Sequence, residues 1–180
     1  MGAFDTGQVL QAFDGELWQA DHGTPLPGVS TDTLDVGFLS AGWLHEDGLT
    51  FMPGLSADDP IKGWPRGEIL LQPSAILEPT FKFTLMQHSD PDSLDWIVDP
   101  TRLRSIVLDY RNAVGGAKAR LVLPKVKIKE SGDISFNVAD AISTEVTVGC
   151  VRDDAARYTF SFMIPTVVGG VIGPDFVKTY

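Results

Sequence analysis

The chain has 180 residues, 43% hydrophobic and 21% charged, enough for one domain with a single core, and no apolar run is long enough to span a bilayer. Its 24 acids and 14 bases leave a formal net charge of −10, and the single cysteine, Cys150, excludes an intrachain disulfide. The N-terminus lacks the basic flank and apolar run of a signal peptide, so synthesis and retention in the cytoplasm are expected.

Charge is distributed unevenly. Residues 1–61 hold ten acids and no Lys or Arg, which accounts for the whole net charge, whereas residues 102–129 hold eight bases and one acid, Asp109. Such polarity suits head-to-tail association, and the alternative is that both segments are ordinary solvated surface.

In chain order, the region to about Leu34 contains Gly15, Gly23, Pro25, Pro27 and Gly28 between small and acidic residues. It reads as an extended N-terminal arm, about residues 1–34, with one short strand and with Phe13 and Trp18 as anchors. The run Phe38 to Leu44 is strand-like and drops into Glu46-Asp47-Gly48, where Asp-Gly predicts a reversal because glycine takes positive φ without steric cost. A proline-punctuated loop then spans about residues 52–77. Loops of this length are usually functional or unstructured, and Asp58, Asp59, Lys62, Trp64 and Arg66 make this one a candidate contact surface.

From Glu78 onward Phe81, Phe83 and Leu85 alternate with Lys82, Thr84 and Met86, the period of a half-buried strand. Ser89 to Pro91 offers a helix start, Leu94, Ile97 and Val98 follow at helical spacing, and Pro100 ends the helix, which is expected to lie across a sheet. Arg104–Tyr110 and Ala117–Leu123 read as two strands joined through Gly115-Gly116. Beyond Pro124, Lys125, Lys127 and Lys129 share one strand face and Val126 and Ile128 the other. The three ammonium groups either meet an acidic neighbour or remain a solvated face that discourages edge pairing. Ile134, Phe136 and Val138 begin another strand, which continues at Val146 and Val148 after a bend at Ala139 to Thr144. Tyr158, Phe160, Phe162 and Ile164 form the last alternating strand. Residues 165–180 form a glycine- and valine-rich tail without clear period. Several short alternating strands with one helix predict an antiparallel β-sandwich or partial barrel.

Blocks in a fixed order carry a family resemblance: Gly23-Thr-Pro-Leu-Pro27, Leu39 to Leu49 with Gly-Trp-Leu-His-Glu-Asp-Gly-Leu, Lys62-Gly-Trp64, Glu78-Pro-Thr-Phe-Lys-Phe-Thr-Leu85, Arg120-Leu-Val-Leu-Pro124, Gly132-Asp-Ile-Ser-Phe136 and Thr144 to Gly149. Together they cover most of the chain. The sequence resembles the major tail (tail tube) proteins of long-tailed, siphovirus-like bacteriophages, with His45 a departure before Glu-Asp-Gly. The resemblance implies a sandwich with a flanking helix, six copies closing into a ring, and rings stacking through the extended loop. It also implies a virion component assembled in the host cytoplasm around a tape-measure protein, with tail-end proteins as further partners and genome DNA passing through the lumen without specific binding. On that reading Asp58, Asp59, Lys62, Trp64 and Arg66 make inter-ring contacts; independently of the resemblance, the charge asymmetry would pair Lys125, Lys127 and Lys129 with acids in the first third of a neighbouring subunit.

No catalytic site, cofactor site or metal site is expected. His22, His45 and His88 lack metal-ligand spacing, there is no Walker motif and no Gly-x-Ser-x-Gly, and Cys150 between Val148 and Val151 has the setting of a buried thiol. Paired carboxylates, Asp58-Asp59 and Asp153-Asp154, would serve glycoside hydrolysis only if the fold set them across a groove. Two alternatives stand beside the phage reading. One is the tube subunit of another contractile or secretion-type injection machine, and the other a carbohydrate-binding or hydrolytic β-sandwich with Trp43, Trp64 and Trp96 lining its groove.

Overall fold

The computed structural model describes residues 12–57, 61–62, 69–71, 74–76, 78–86, 99, 101–112, 118–132, 143–155, 157–168 and 171–179. Twelve strands are present among the described residues: β1 Ala12–Asp21, β2 Leu39–Met52, β3 Leu55–Ala57, β4 Ile61–Lys62, β5 Ile69–Leu71, β6 Ser74–Ile76, β7 Thr80–Met86, β8 Arg104–Asn112, β9 Lys118–Ser131, β10 Ser143–Cys150, β11 Ser161–Val168 and β12 Val171–Thr179. The fold is mainly β, with no helix among the described residues. The helix expected over Ser89 to Val98, the strand expected at Ile134 to Val138 and the Gly115-Gly116 turn lie outside the described residues.

Six strands run in the order β10, β7, β2, β1, β8, β9, and β9 pairs back onto β10, closing an antiparallel barrel. Closure follows from the length of β9. Its first part pairs with β8 through Lys118 to Val126 and with β11 through Arg120 to Val122, while Val126 to Ser131 pair with β10. The partial barrel anticipated from the strand pattern is therefore a complete one, carrying a β11–β12 hairpin as an extension of its wall.

Alternation explains what fills it. Leu17, Phe81, Phe83, Leu85, Ile106, Leu108, Leu121, Leu123, Val126, Ile128, Val146, Val148 and Cys150 are buried inward positions that form one apolar core. Each is removed from water at a gain of about 25 cal/mol per Å² of apolar surface. Small barrels are filled this way because inward and outward side chains alternate along every strand.

Three local expectations are corrected. Residues 12–21, assigned to an extended arm with a short strand, form a ten-residue barrel strand paired on both sides, with β2 and β8. The Glu46-Asp47-Gly48 segment does not reverse the chain, because Gly48 at φ 70° is absorbed into a bulge of the continuous strand β2. Between Leu44, opposite Leu85, and Leu49, opposite Phe83, β2 advances five residues while β7 advances two. Asp-Gly supplies positive φ to a bulge as readily as to a turn, and the partner strand β7 decides between them. The tail after Pro165 is not irregular either. Val171–Thr179 pairs with Ser161–Val168, and Pro165 sits where the register shifts.

The loop of about 52–77 contains paired backbone. Leu55 to Ala57 lie opposite Ile76 to Ser74, and Ile61 and Lys62 lie opposite Leu71 and Ile69. Met52 is itself opposite Thr80, so these short ladders prolong β2 and β7 into a two-stranded arm.

Candidate assembly surfaces

The outward face of β1, β8, β9 and β11 is covered by residues 22–38. Ala20, Phe38, Val107, Val122 and Met163 form a second buried cluster there, with Trp18 and Leu34 packed on it. A buried cation fixes this strap. Arg120, fully buried, donates from Nε to Asp109 Oδ1 at 2.6 Å and from Nη2 to Asp109 Oδ2 at 3.1 Å. Its Nη1 donates to the carbonyls of Val29 at 3.2 Å and Asp32 at 2.9 Å. A guanidinium presents planar donors in a fixed fork, which suits one carboxylate and two carbonyls at once. Lys118 Nζ reaches the same carboxylate at 2.6 Å.

Other parts of the acidic first third also meet the basic segment of their own chain. Asp21 pairs with Arg102 at 3.0 Å and with Arg104 at 2.8 Å, and His22 Nδ1 lies 3.1 Å from the Pro124 carbonyl. Asp32 Oδ2 accepts from the Gly28 and Val29 amides, and Asp35 Oδ1 from the Gly37 amide, so both carboxylates shape the strap. Charge asymmetry along the sequence is thus partly neutralised within the subunit.

The three strand-face lysines separate in role. Val126 and Ile128 are buried in the barrel, and Lys127 and Lys129 are exposed while Lys125 is half-buried. Lys129 Nζ lies 2.7 Å from Glu78 Oε2 within the chain. Lys125 and Lys127 make no ion pair among the described residues. Asp58, Asp59, Trp64 and Arg66 lie outside the described residues, and Lys62 is placed in β4 of the arm.

Beneath Lys129, Gly149 allows a close approach: a Cβ there would overlap Glu78 Oε1 and come within 2.7 Å of Lys129 Cε. Cys150 beside it is buried, and burial together with the Glu78 carboxylate pushes its thiol up to about 12. A nucleophilic thiol needs the opposite shift. Trp43 is 61% exposed and lines a cleft of about 180 Å³ with Glu16, Trp18, Asp109, Tyr110, Arg111 and Lys118. Asp109 in that cleft is engaged by Arg120 and Lys118, and Glu16 accepts from the Ser40 hydroxyl at 3.2 Å, so no free carboxylate pair spans it. Asp153, of the other acid pair, accepts from the Arg157 amide and closes its own loop. Trp64 and Trp96 lie outside the described residues.

Two exposed features stand out. The outer strand of the β11–β12 hairpin pairs only with β11 among the described residues, and its Val177 is 44% exposed. At the root of the arm, Phe51 stacks on Phe81 at 4.7 Å and meets Phe160 edge-on at 5.2 Å, and Phe160 in turn meets Phe162 at 5.8 Å. Sequence reasoning overlooked Arg120 and β12. An arginine at the outward parity of an apolar strand was the available signal for the first, and the Val-Ile-Gly-Pro interruption hid the second.

No protein-family model and no curated protein matches the chain. Among solved structures, the chain is similar to a type six secretion system protein, at 12% identity over 94% of this chain and 95% of that one, with a TM-score of 0.47. It is similar to Hcp1 from Salmonella typhimurium, at 10% identity over 93% and 95% with a TM-score of 0.46. A third is the SPP1 tail tube, at 9% identity over 76% and 72% with a TM-score of 0.42.

Proposed function

We propose that this chain is the repeating, non-enzymatic subunit of a bacteriophage tail tube, assembling into hexameric rings that stack into the conduit for genome DNA. On this reading it resides in the virion after assembly in the host cytoplasm, around a tape-measure protein and between tail-end proteins. The observation that carries the reading is the unpaired edge of β12. Closing a barrel removes strand edges, yet β9 of this barrel also supports a hairpin whose nine-residue outer strand leaves its other edge open among the described residues. Such an edge is a template for a strand of another chain. An edge meeting a different surface of the next copy is a heterologous contact, which gives a ring when its rotation closes.

The paired arm and the ordered sequence blocks support the same reading, with Asp58, Asp59, Lys62, Trp64 and Arg66 as inter-ring contacts and Lys125 and Lys127 as the cations left for a neighbour. The same architecture would serve a contractile or secretion-type machine, which differs in cargo. The edge is tested by Val177→Lys, since a lysine on an edge strand discourages pairing and this side chain points to solvent. Sedimentation should show rings or tubes for the wild type and monomer for the variant. Equal assembly of both would remove the edge from the account.

A further inference from the structure

Residues 22–38, which hold down the outer side of β1, β8, β9 and β11, present a surface of their own. Leu26 and Val29 are exposed and Val36 is 96% exposed, so three aliphatic side chains of one short segment face solvent. Residues 25–27 and 32–35 fold together around a recess of about 260 Å³ lined by Pro25, Leu26, Pro27, Asp32, Thr33 and Asp35. One part of its wall is apolar, and the other carries two carboxylates. Each carboxylate uses one oxygen inside the strap: Asp32 Oδ2 accepts from the Gly28 and Val29 amides, and Asp35 Oδ1 from the Gly37 amide. Neither acid forms an ion pair among the described residues, and the strap itself contains no Lys or Arg.

We infer that this recess receives the Lys127 side chain of a second copy, so that the strap of one subunit docks on the β9–β10 wall of the next; the inference rests on the tube reading above. A lysine suits a site with an apolar wall and carboxylates beside it, because its methylenes lie along the apolar surface while the ammonium reaches the anions. Lys127 is exposed and makes no ion pair among the described residues, whereas Lys129 is held by Glu78. Strap and lysine lie on different surfaces of the subunit. The strap covers the outer cluster of β1, β8, β9 and β11, and Lys127 stands on the part of β9 that pairs with β10. Joining one to the other is a heterologous contact, the kind that closes a ring. The open edge favours the same placement. Val177 of β12 is the cross-strand partner of Met163, which lies under the strap, so a copy that reaches the edge stands beside the strap. Docking there also covers Leu26, Val29 and Val36, an apolar exposure that marks a contact surface.

Zero-length coupling and a mutant cycle test the contact. Tubes verified by micrograph are assembled from equal amounts of isotope-labelled and unlabelled subunits, then treated with a water-soluble carbodiimide, which joins carboxylates to amines already in contact. Peptide mass spectrometry should find Lys127 joined to Asp32 or Asp35, with as many mixed-label as same-label links. The double variant Asp32→Asn, Asp35→Asn keeps the oxygens that accept from the strap amides and removes the charge, so the monomer's unfolding transition should stay in place. It should slow assembly to about the rate of Lys127→Gln, and combining the three changes should slow it no further, because both sets remove one interaction. Tubes that give no such link, links confined to single chains, or rate effects that multiply in the combined variant each overturn the contact and leave the tube reading intact. A wild type that forms neither rings nor tubes overturns the tube reading, and the contact with it.

Discussion

Arg120 concentrates several effects in one side chain. It is fully buried, pairs bidentately with Asp109, and supplies the donor for two strap carbonyls. Replacing it with methionine keeps most of the volume but leaves Asp109 with Lys118 alone, takes the guanidinium donor from the Asp32 carbonyl, and leaves the Val29 carbonyl with the Asp32 amide at 3.3 Å. Breaking a buried pair by removing one partner costs about 3–5 kcal/mol. The expected outcome for Arg120→Met is a loss of that order in a denaturant titration, together with faster hydrogen exchange at the Gly28 and Val29 amides, which Asp32 holds. Arg102→Ala removes an exposed pair with Asp21 and should cost about 1 kcal/mol or less. Equal costs for the two would mean that the strap is held by its apolar underside rather than by the guanidinium.

Among the elements, β9 carries both the packing and the charge arguments. Val126 and Ile128 fill the barrel, so reversing outward lysines should spare the fold. The structure narrows which lysines to reverse. Lys129 compensates Glu78, whose Oε1 is buried without a partner among the described residues, so a change there would disturb the subunit itself. The double variant Lys125→Glu, Lys127→Glu isolates the charge contributed to a neighbour. It should slow assembly, followed by light scattering, and leave the monomer's unfolding transition unchanged, because complementary charge acts mainly on encounter rate. Added salt should slow the wild type as well, since the Debye length falls from about 10 Å at 0.1 M to about 3 Å at 1 M. Assembly at the wild-type rate would return both lysines to ordinary solvated surface.

The elements also show where sequence patterns suffice. β7 was legible because Phe81, Phe83 and Leu85 alternate without interruption, and β10 because Val146 and Val148 do. β1 was hidden by Gly15 and by the mixed outward pair Glu16 and Trp18, whose cross-strand partners, Trp43 and Ser40, come from a distant part of the chain. Asp47-Gly48 was read as a turn because local chemistry allows one, but β7 pairs with β2 on both sides of it and turns the excess residues into a bulge. Charge was legible as composition but not as placement, since Asp21 at the end of β1 finds Arg104 of β8 and Arg102 just before it within the same chain.

At the scale of the whole molecule, a closed barrel with a filled core has no use for the β11–β12 hairpin in its own closure. The barrel is complete without it, and an exposed edge strand invites association unless association is its role. A ring of six would carry 6 × −10 = −60 formal charges. On the proposed reading, that total would repel duplex DNA from the assembly as a whole. It also makes assembly depend on local complementarity rather than on net attraction between copies.

A negative-stain micrograph of the purified protein at moderate salt tests this account most directly. Rings of six-fold outline, alone or stacked into tubes with a central channel, are the predicted result. A population that remains strictly monomeric across concentration and salt, with β12 unpaired in solution, would contradict it.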